Sequence, residues 1–159
     1  MKKTIWGMLL CLGVGMAGST FSGKIMLLDR NATDLIYQLP LQKHQKWLCE
    51  AEFANKQKMQ FVSVKSMMQV YQHQDYFLKR NLIPAKIEKI YVQDYMNGDR
   101  IDARKAVYLF GSRETGPHGD DLIPFASREH AELFKLKHGG TKILPFDKLS
   151  KGLIRYLDM

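Results

Sequence analysis

The stretch from residue 47 to residue 71 reads WLCEAEFANKQKMQFVSVKSMMQVY, and it predicts the fold. Its beginning alternates like a half-buried strand, with one face formed by Trp47, Cys49, Ala51 and Phe53. Residues 54–57 supply a hairpin connection to a second strand at 58–62. Ser63 then fits the N-cap of a helix, because apolar residues follow it at helical spacing, at Val64, Met67, Met68 and Tyr71. The stretch therefore predicts a β-β-α unit.

The same order of elements recurs farther along the chain. The pattern predicts a strand at 87–95, a turn at 97–99, a buried strand at 106–110, a helix from Phe125-Ala126-Ser127 to His138, and an edge strand at 142–146. The helix starts Phe61-Val62-Ser63 and Phe125-Ala126-Ser127 can be superposed, which places Met67 opposite Ala131 and Val70 opposite Phe134. We therefore predict an α+β fold in which two ββα-type units pack as one compact domain.

The first 22 residues have the three-part pattern of a secretory signal peptide. Lys2 and Lys3 precede an apolar run from Ile5 to Ala17, which is shorter than the roughly 20 residues that a membrane-spanning helix needs. Cys11 lies inside this run without the preceding small residue that lipoprotein processing requires, so we expect no lipid anchor. The predicted divisions are a cleavable signal peptide at 1–22, an N-terminal extension at 23–42, the two units at 43–78 and 79–149, and a C-terminal tail at 150–159.

The composition of the chain excludes several classes of protein and partner. The chain has 159 residues, 45% of them hydrophobic, and a formal charge of +8, which excludes a disordered chain. Cleavage before Gly23 removes two lysines and one cysteine, leaving a charge of +6 and Cys49 alone, so no internal disulfide can form. The basic residues lie in short pairs among acids, so we expect no nucleic-acid partner, but weak attraction to anionic membrane surfaces or an acidic protein.

No enzyme signature occurs in the chain, and we expect it not to be an enzyme. A nucleophilic Cys49 would need an exposed thiol, whereas the alternating pattern turns Cys49 inward. Thiolate, thioether and imidazole are ligands that suit reduced copper, Cu(I). His118 is the best candidate because Gly116-Pro117-His118-Gly119 holds its imidazole in a rigid turn. Cys49 is either a ligand or a small buried hydrophobe, and we treat the other four histidines first as surface residues.

Four segments together resemble the NosL family, the accessory proteins of nitrous oxide reductase. They read YVQDYMNGDRIDARKA at 91–106, GPHG at 116–119, LIPF at 122–125 and HGG at 138–140. The first unit agrees at Lys46-Trp47 and at FVSVKSM, residues 61–67. The resemblance covers about residues 43–149 and implies a periplasmic copper-binding protein of two ββα-type units that helps to assemble the copper centres of nitrous oxide reductase.

Two departures from the family pattern concern the metal. Family members typically carry Cys-x-x-Cys-Gly-Met, and the corresponding stretch here, DLIYQL at residues 34–39, contains no sulfur. The third residue of the family's glycine-proline loop is commonly methionine, and here it is His118. One hypothesis is a copper-binding accessory protein in which His118 and a sulfur from Cys49 or Met96 hold the metal. The alternative is a copper-independent docking protein of the same pathway.

Overall fold

The computed structural model describes residues 23–159, so the predicted signal peptide lies outside the described residues. The helices and strands are β1 (Cys49–Phe53), β2 (Lys58–Phe61), α1 (Val64–Gln72), α2 (Gln74–Lys79), β3 (Ile87–Gln93), β4 (Arg100–Asp102), β5 (Val107–Phe110), β6 (Ile123–Phe125), α3 (Arg128–His138), β7 (Lys142–Pro145) and α4 (Lys151–Leu157). Short 3-10 helices precede β1, at Leu41–Trp47, and follow β7, at Phe146–Lys148. The predicted α+β fold is confirmed.

Two antiparallel sheets have the same order in three of their strands. The first runs β2-β1-β3-β4 and the second runs β6-β5-β7. In each sheet a hairpin is followed by a helix, and the next strand returns to the free edge of the hairpin's first strand. That edge would otherwise leave backbone groups unpaired. Each sheet with its helix is thus a ββα unit completed by a third strand, although in the second unit the two strands before the helix are β5 and β6 and not the predicted strands at 87–95 and 106–110.

The two hairpins lead into their helices in the same way. Ser63 accepts a hydrogen bond from the Ser66 amide, and Ser127 accepts one from the His130 amide, so both serines are N-caps as predicted. The pairs that the sequence placed opposite each other, Met67 with Ala131 and Val70 with Phe134, are all buried. The predicted correspondence between the two helix starts is therefore confirmed in three dimensions.

Several elements differ from the prediction. The strand at Ile87–Gln93, predicted to begin the second unit, pairs with β1 in the first sheet. Helix α2 and strands β4 and β6 were not predicted, because each is too short to show a clear period. Residues 150–159, which the sequence suggested to be a tail, contain α4, a helix capped by Ser150 and packed against α1.

The apolar core lies between the helices and the inner faces of the sheets. The residues of β1 that were predicted to point inward, Cys49, Ala51 and Phe53, are completely buried. Residues 23–42 also contribute, because Ile25 and Leu41 pack into a third apolar cluster with Leu48 and Val62. Among residues 23–159, no helix is both long enough and apolar enough to cross a membrane.

Candidate metal site around His118

A turn at residues 34–39, within the N-terminal extension, is hydrogen-bonded to the start of helix α1. The buried carboxylate of Asp34 accepts hydrogen bonds from the amides of Ile36 (3.0 Å) and Tyr37 (2.8 Å), which closes the turn. Its other oxygen accepts from the Val62 amide (2.9 Å) and the Ser66 hydroxyl (2.6 Å). Asp34 thereby fixes the position of Tyr37 relative to the start of α1.

The turn at residues 94–99 repeats this arrangement in the second unit. The buried carboxylate of Asp94 accepts from the amides of Met96 (2.8 Å) and Asn97 (3.2 Å), and its second oxygen accepts from the Ala126 amide (2.6 Å). Where the first unit uses the Ser66 hydroxyl, the second uses the His130 ring, whose Nδ1 lies 3.0 Å from Asp94 Oδ2. The sequence assigned His130 to the surface and did not predict this contact.

The imidazole of His118 stacks on the ring of Tyr37. The ring centroids are 4.0 Å apart and the planes differ by 15°. His118 remains half exposed, and its loop is closed by a hydrogen bond from the Gly116 amide to the Gly119 carbonyl, 2.8 Å long. The turn at 34–39 and the loop at 116–119, where the sequence departs from the NosL pattern, therefore lie against each other.

Asp158, at the end of α4, lies next to the rings of Tyr37 and His118. The Tyr37 hydroxyl donates to Asp158 Oδ1 (2.7 Å) and accepts from the Gln69 side chain (2.6 Å). His118 Nδ1 lies 3.9 Å from the same carboxylate oxygen, too far for a hydrogen bond. Burial, followed by the hydrogen bond to Asp158 and the nearby carboxylates, raises the pKa of Tyr37 well above its usual value. Tyr37 is thus a neutral donor that orients Asp158.

The buried side chain of Lys65 links the His118 loop to helix α4. Its side chain is 1% exposed, and its ammonium donates to the carbonyls of His118 (2.6 Å) and Leu157 (2.9 Å). The Leu157 carbonyl is at the C-terminal end of α4, where a helix favours a cation. The ammonium lies 3.6 Å from Asp158 Oδ1, so it also balances that charge.

A second buried carboxylate, Asp121, lies at the base of the loop. Asp121 Oδ1 accepts from the amides of Lys65 (2.9 Å) and Leu122 (2.8 Å). Burial raises the pKa of Asp121 to about 6, although the Ser63 side chain, these amides and the Lys65 charge oppose the shift. Asp121 supports the loop that carries His118.

Neither predicted sulfur contributes to this cluster. Cys49 is completely buried in the core, where its thiol lies 3.5 Å from the Trp47 carbonyl. Burial, together with the charges of Asp121 and Asp34, raises the pKa of the Cys49 thiol well above its usual value. The thiol therefore lacks both the exposure and the low pKa that a nucleophile requires.

Met96 lies in a different part of the surface. It is 50% exposed and lines an open cleft of about 660 Å³ together with Met26, whose side chain is 75% exposed. The residues that line this cleft do not include His118. Of the three predicted ligands, His118 is accessible in a rigid loop, Cys49 is enclosed in the core, and Met96 faces a separate cleft.

The sequence interpretation missed four members of the cluster, namely Tyr37, Lys65, Gln69 and Asp158. A buried lysine has no sequence signature, since lysine is almost always exposed unless it is paired. Asp158 lies in the segment interpreted as a tail. Ser150 followed by Leu153, Ile154 and Leu157 is, however, a recognisable start and apolar spacing for a short helix.

The cluster can provide an imidazole nitrogen and a carboxylate oxygen to an incoming ligand. Tyr37, Gln69 and Lys65 hold these groups by hydrogen bonds and stacking, so the arrangement is preformed. A cavity of about 420 Å³ between α1, α2 and α4 reaches the cluster at Gln69 and Asp158. Among residues 23–159, no three His, Cys, Asp or Glu side chains converge as a closed metal site would require.

Comparison with known proteins identifies similar structures. The sequence model of the NosL family matches residues 26–154. The crystal structure of the copper chaperone NosL from Shewanella denitrificans superposes with a TM-score of 0.64 and 18% identity, covering 80% of this chain and 96% of that one. The solution NMR structure of apo-NosL from Achromobacter cycloclastes gives a TM-score of 0.47 and 23% identity, covering 67% of this chain and 87% of that one. No curated protein matches the sequence.

Proposed function

This chain belongs to the NosL family, and from that premise we propose that it is a periplasmic accessory protein. In this proposal it binds copper at the His118 loop and passes it on during assembly of the copper centres of nitrous oxide reductase. The predicted signal peptide supports the location. The solved structure of the Shewanella denitrificans protein, described as a copper chaperone, shares the fold.

One observation carries the proposal. The stretch that corresponds to the family's sulfur motif, residues 34–39, contacts the glycine-proline loop through the stacked rings of Tyr37 and His118. The two segments in which the sequence departs from the family pattern are thus in contact, which supports a metal site at this place. An exposed imidazole held in one orientation is a competent metal ligand.

The residues of the cluster have separate roles. His118 would contact the metal, Asp158 would supply an oxygen, and Tyr37 and Lys65 would hold these two groups in place. Because the His118 side chain is half exposed, a partner's ligands can approach the metal and replace those of the protein one at a time. Transfer would then proceed by ligand exchange, without turnover of a substrate.

A second candidate function is a copper-independent docking protein of the same pathway. The observation in its favour is that Tyr37, Asp158, Gln69 and Lys65 already satisfy one another by hydrogen bonds. Cys49 and Met96, the sulfurs predicted as ligands, lie outside this cluster. This hypothesis predicts that the chain associates with the reductase or its assembly proteins in the presence of a copper chelator, and association lost on chelation would count against it.

Copper content distinguishes the two candidates. The protein is purified from periplasmic extract of cells that express the full chain, loaded with copper, desalted and assayed by atomic absorption. We expect about one copper per chain, and loss of that copper in His118→Ala. The matched control is His138→Ala, since His138 is a partly exposed histidine paired with Glu114 outside the cluster. Equal copper in the wild type and in His118→Ala would refute the assigned site.

A further inference from the structure

The extended segment at residues 24–28 presents apolar and basic side chains on one surface of the protein. We propose that this surface docks on a membrane that contains anionic lipids and holds the protein there without a lipid anchor. Docking of this kind is separate from copper binding, because it uses none of the residues around His118. We name this surface the Met26 face; its residues are Lys24, Met26, Leu28, Arg30, Lys46 and Met96.

Hydrogen bonds hold the segment at residues 24–28 against the first sheet. The buried side chain of Gln60, on β2, donates to the Met26 carbonyl (2.7 Å) and accepts from the Leu28 amide (2.9 Å). Side chains of an extended segment alternate between its two sides. Ile25 and Leu27 therefore pack inward, in the third apolar cluster, whereas Met26 and Leu28 face the solvent.

Three apolar side chains of the Met26 face are exposed. Met26 is 75% exposed, Leu28 58% and Met96 50%. Met26 and Met96 line the open cleft of about 660 Å³, and Leu28 follows on the same side of the extended segment as Met26. A group of exposed apolar side chains rimmed by polar ones marks an interaction surface. Methionine is unbranched and flexible, so it adapts to an irregular surface such as lipid headgroups.

Basic side chains surround these apolar groups. Lys24, Arg30 and Lys46 are exposed and line the same cleft. Among residues 23–159, none of the three forms an ion pair with a carboxylate. A lysine or arginine near an anionic bilayer adds attraction equivalent to about fivefold in affinity. The three cations are therefore free to contact lipid phosphates.

Acidic side chains do not cancel this charge. The one acid in the lining of the cleft, Asp94, is 1% exposed, and its oxygens accept hydrogen bonds from backbone amides. Asp29 and Asp99, which are close to the face in the chain, lie outside the lining. The surface that an incoming bilayer meets at the cleft is thus basic and apolar.

The position of the Met26 face in the chain favours a membrane over an acidic protein. The apolar run of the predicted signal peptide ends at Ala17, shortly before Gly23, where the described residues begin. The Gly23 carbonyl accepts from the Arg100 amide (2.9 Å), and the next residue, Lys24, already lines the cleft. A signal peptide inserted in the membrane during export therefore brings this face to the bilayer. Apolar side chains flanked by cations are typical of proteins that lie in the membrane interface.

Vesicle flotation tests the docking surface, with protein purified from periplasmic extract of cells that express the full chain. The vesicles contain phosphatidylcholine alone, or equal parts of phosphatidylcholine and phosphatidylglycerol. We expect the protein to float with the mixed vesicles, to be released from them by high salt, and not to float with phosphatidylcholine alone. Lys24→Glu should weaken binding to the mixed vesicles by at least about fivefold. The double variant Met26→Ser, Leu28→Ser should weaken it by about tenfold.

The matched control is the double variant Leu133→Ser, Leu136→Ser. These leucines of α3 are 58% and 85% exposed and lie outside the cleft, so this variant should float like the wild type. All the substituted side chains are exposed, and circular dichroism checks that each variant is folded. A wild type that does not float with the mixed vesicles would refute membrane docking and leave the Met26 face to a protein partner. Equal flotation with both kinds of vesicle, or an equal loss in the control variant, would also overturn the proposal.

Discussion

The turns at 34–39 and 94–99 have similar backbone hydrogen bonds and differ in their side chains. In each turn a buried aspartate accepts the amides two and three residues ahead, and it also accepts an amide at the start of the following helix. The fifth residue of each has a positive φ, 55° at Gln38 and 80° at Gly98. The side chain at the fourth position, however, is Tyr37 in one turn and Asn97 in the other.

The comparison shows which features are required by the fold and which are open to function. The aspartate and the left-handed fifth residue recur because the backbone needs them in both units. The fourth residue is free to vary, and only Tyr37 is placed where it contacts His118 and Asp158. In the proposed function the metal chemistry belongs to the first turn, and the second turn has only a structural role.

The largest expected effect comes from removing either aspartate. Asp34→Ala and Asp94→Ala each leave four buried or partly buried donors without an acceptor, so each should lower the free energy of unfolding by about 3 to 5 kcal/mol. Urea denaturation gives the values. Asp29→Ala, which removes an exposed contact with Asn31, is the control and should cost less than about 1 kcal/mol. A small loss of unfolding free energy in only one of the two variants would show that the two aspartates do not have equivalent structural roles.

The second effect concerns pH. Asp121 has a raised folded pKa of about 6, so between its unfolded pKa and pH 6 the native state binds the proton more tightly and stability falls as pH rises. Asp121→Asn should remove a loss on the order of 2 to 3 kcal/mol across that range. Urea unfolding at several pH values measures it. A wild type whose stability rises monotonically from pH 4 to pH 6, with the same slope in Asp121→Asn, would contradict this.

Asp94 should affect the pH dependence of stability in the opposite direction to Asp121. Burial raises its pKa, but the bonds from His130, Ala126, Met96 and Asn97 outweigh burial and lower it overall. The stabilisation from Asp94 is then present above its unfolded pKa and is lost as pH falls through the lower folded value. Asp94→Asn should therefore flatten the acid limb of the stability profile, below about pH 4. An acid limb that is the same in the wild type and in Asp94→Asn would contradict the lowered pKa of Asp94.

The N-caps should give a smaller effect. Ser63→Ala and Ser127→Ala each remove a side-chain acceptor at the start of a helix, which costs about 1 kcal/mol. Ser63 is completely buried and Ser127 is partly exposed, so the cost should be greater at Ser63. Thermal denaturation of the two variants side by side measures the difference. Equal costs would show that burial does not distinguish the two caps.

The smallest effect lies at the fifth residue of each turn. Gln38→Gly should stabilise the protein by about 0.5 kcal/mol or leave it unchanged, since glycine accepts a positive φ without strain. Gly98→Ala should destabilise it by about 1 kcal/mol, because an added Cβ would also lie 3.3 Å from the Lys24 side chain. Melting temperatures that move in the same direction would show that the turns are less alike than the hydrogen bonds indicate.

Sequence reasoning reached much of the fold because the deciding signals are local. The serine caps and the helical spacing after Ser63 each act within one element, and each is confirmed. The predicted strand is present at Cys49–Phe53 and its inward face is buried, but the predicted outer face is not solvated, since Leu48 and Glu50 are buried as well. The partner of β3 could not be predicted, since strand pairing joins residues far apart in the chain. The repeat of the two turns was hidden because they share only the aspartate.

Most of the candidate site lay beyond sequence reasoning. The loop at 116–119 was visible in its glycines and proline, so His118 was found. Tyr37 and Asp158 are 121 residues apart and meet only after α4 packs on α1. Lys65 looks like a solvated helix residue, and its burial depends on the His118 and Leu157 carbonyls supplied by two other segments.

Electron paramagnetic resonance of the Cu(II)-loaded protein tests the central claim most directly, namely that the metal site belongs to the cluster of Tyr37 and His118 and not to the turn at 94–99 with its His130. The account predicts a spectrum with nitrogen coupling from an imidazole, lost in His118→Ala and retained in His130→Ala. A nitrogen-coupled spectrum that persists in His118→Ala, or that disappears in His130→Ala, would contradict it.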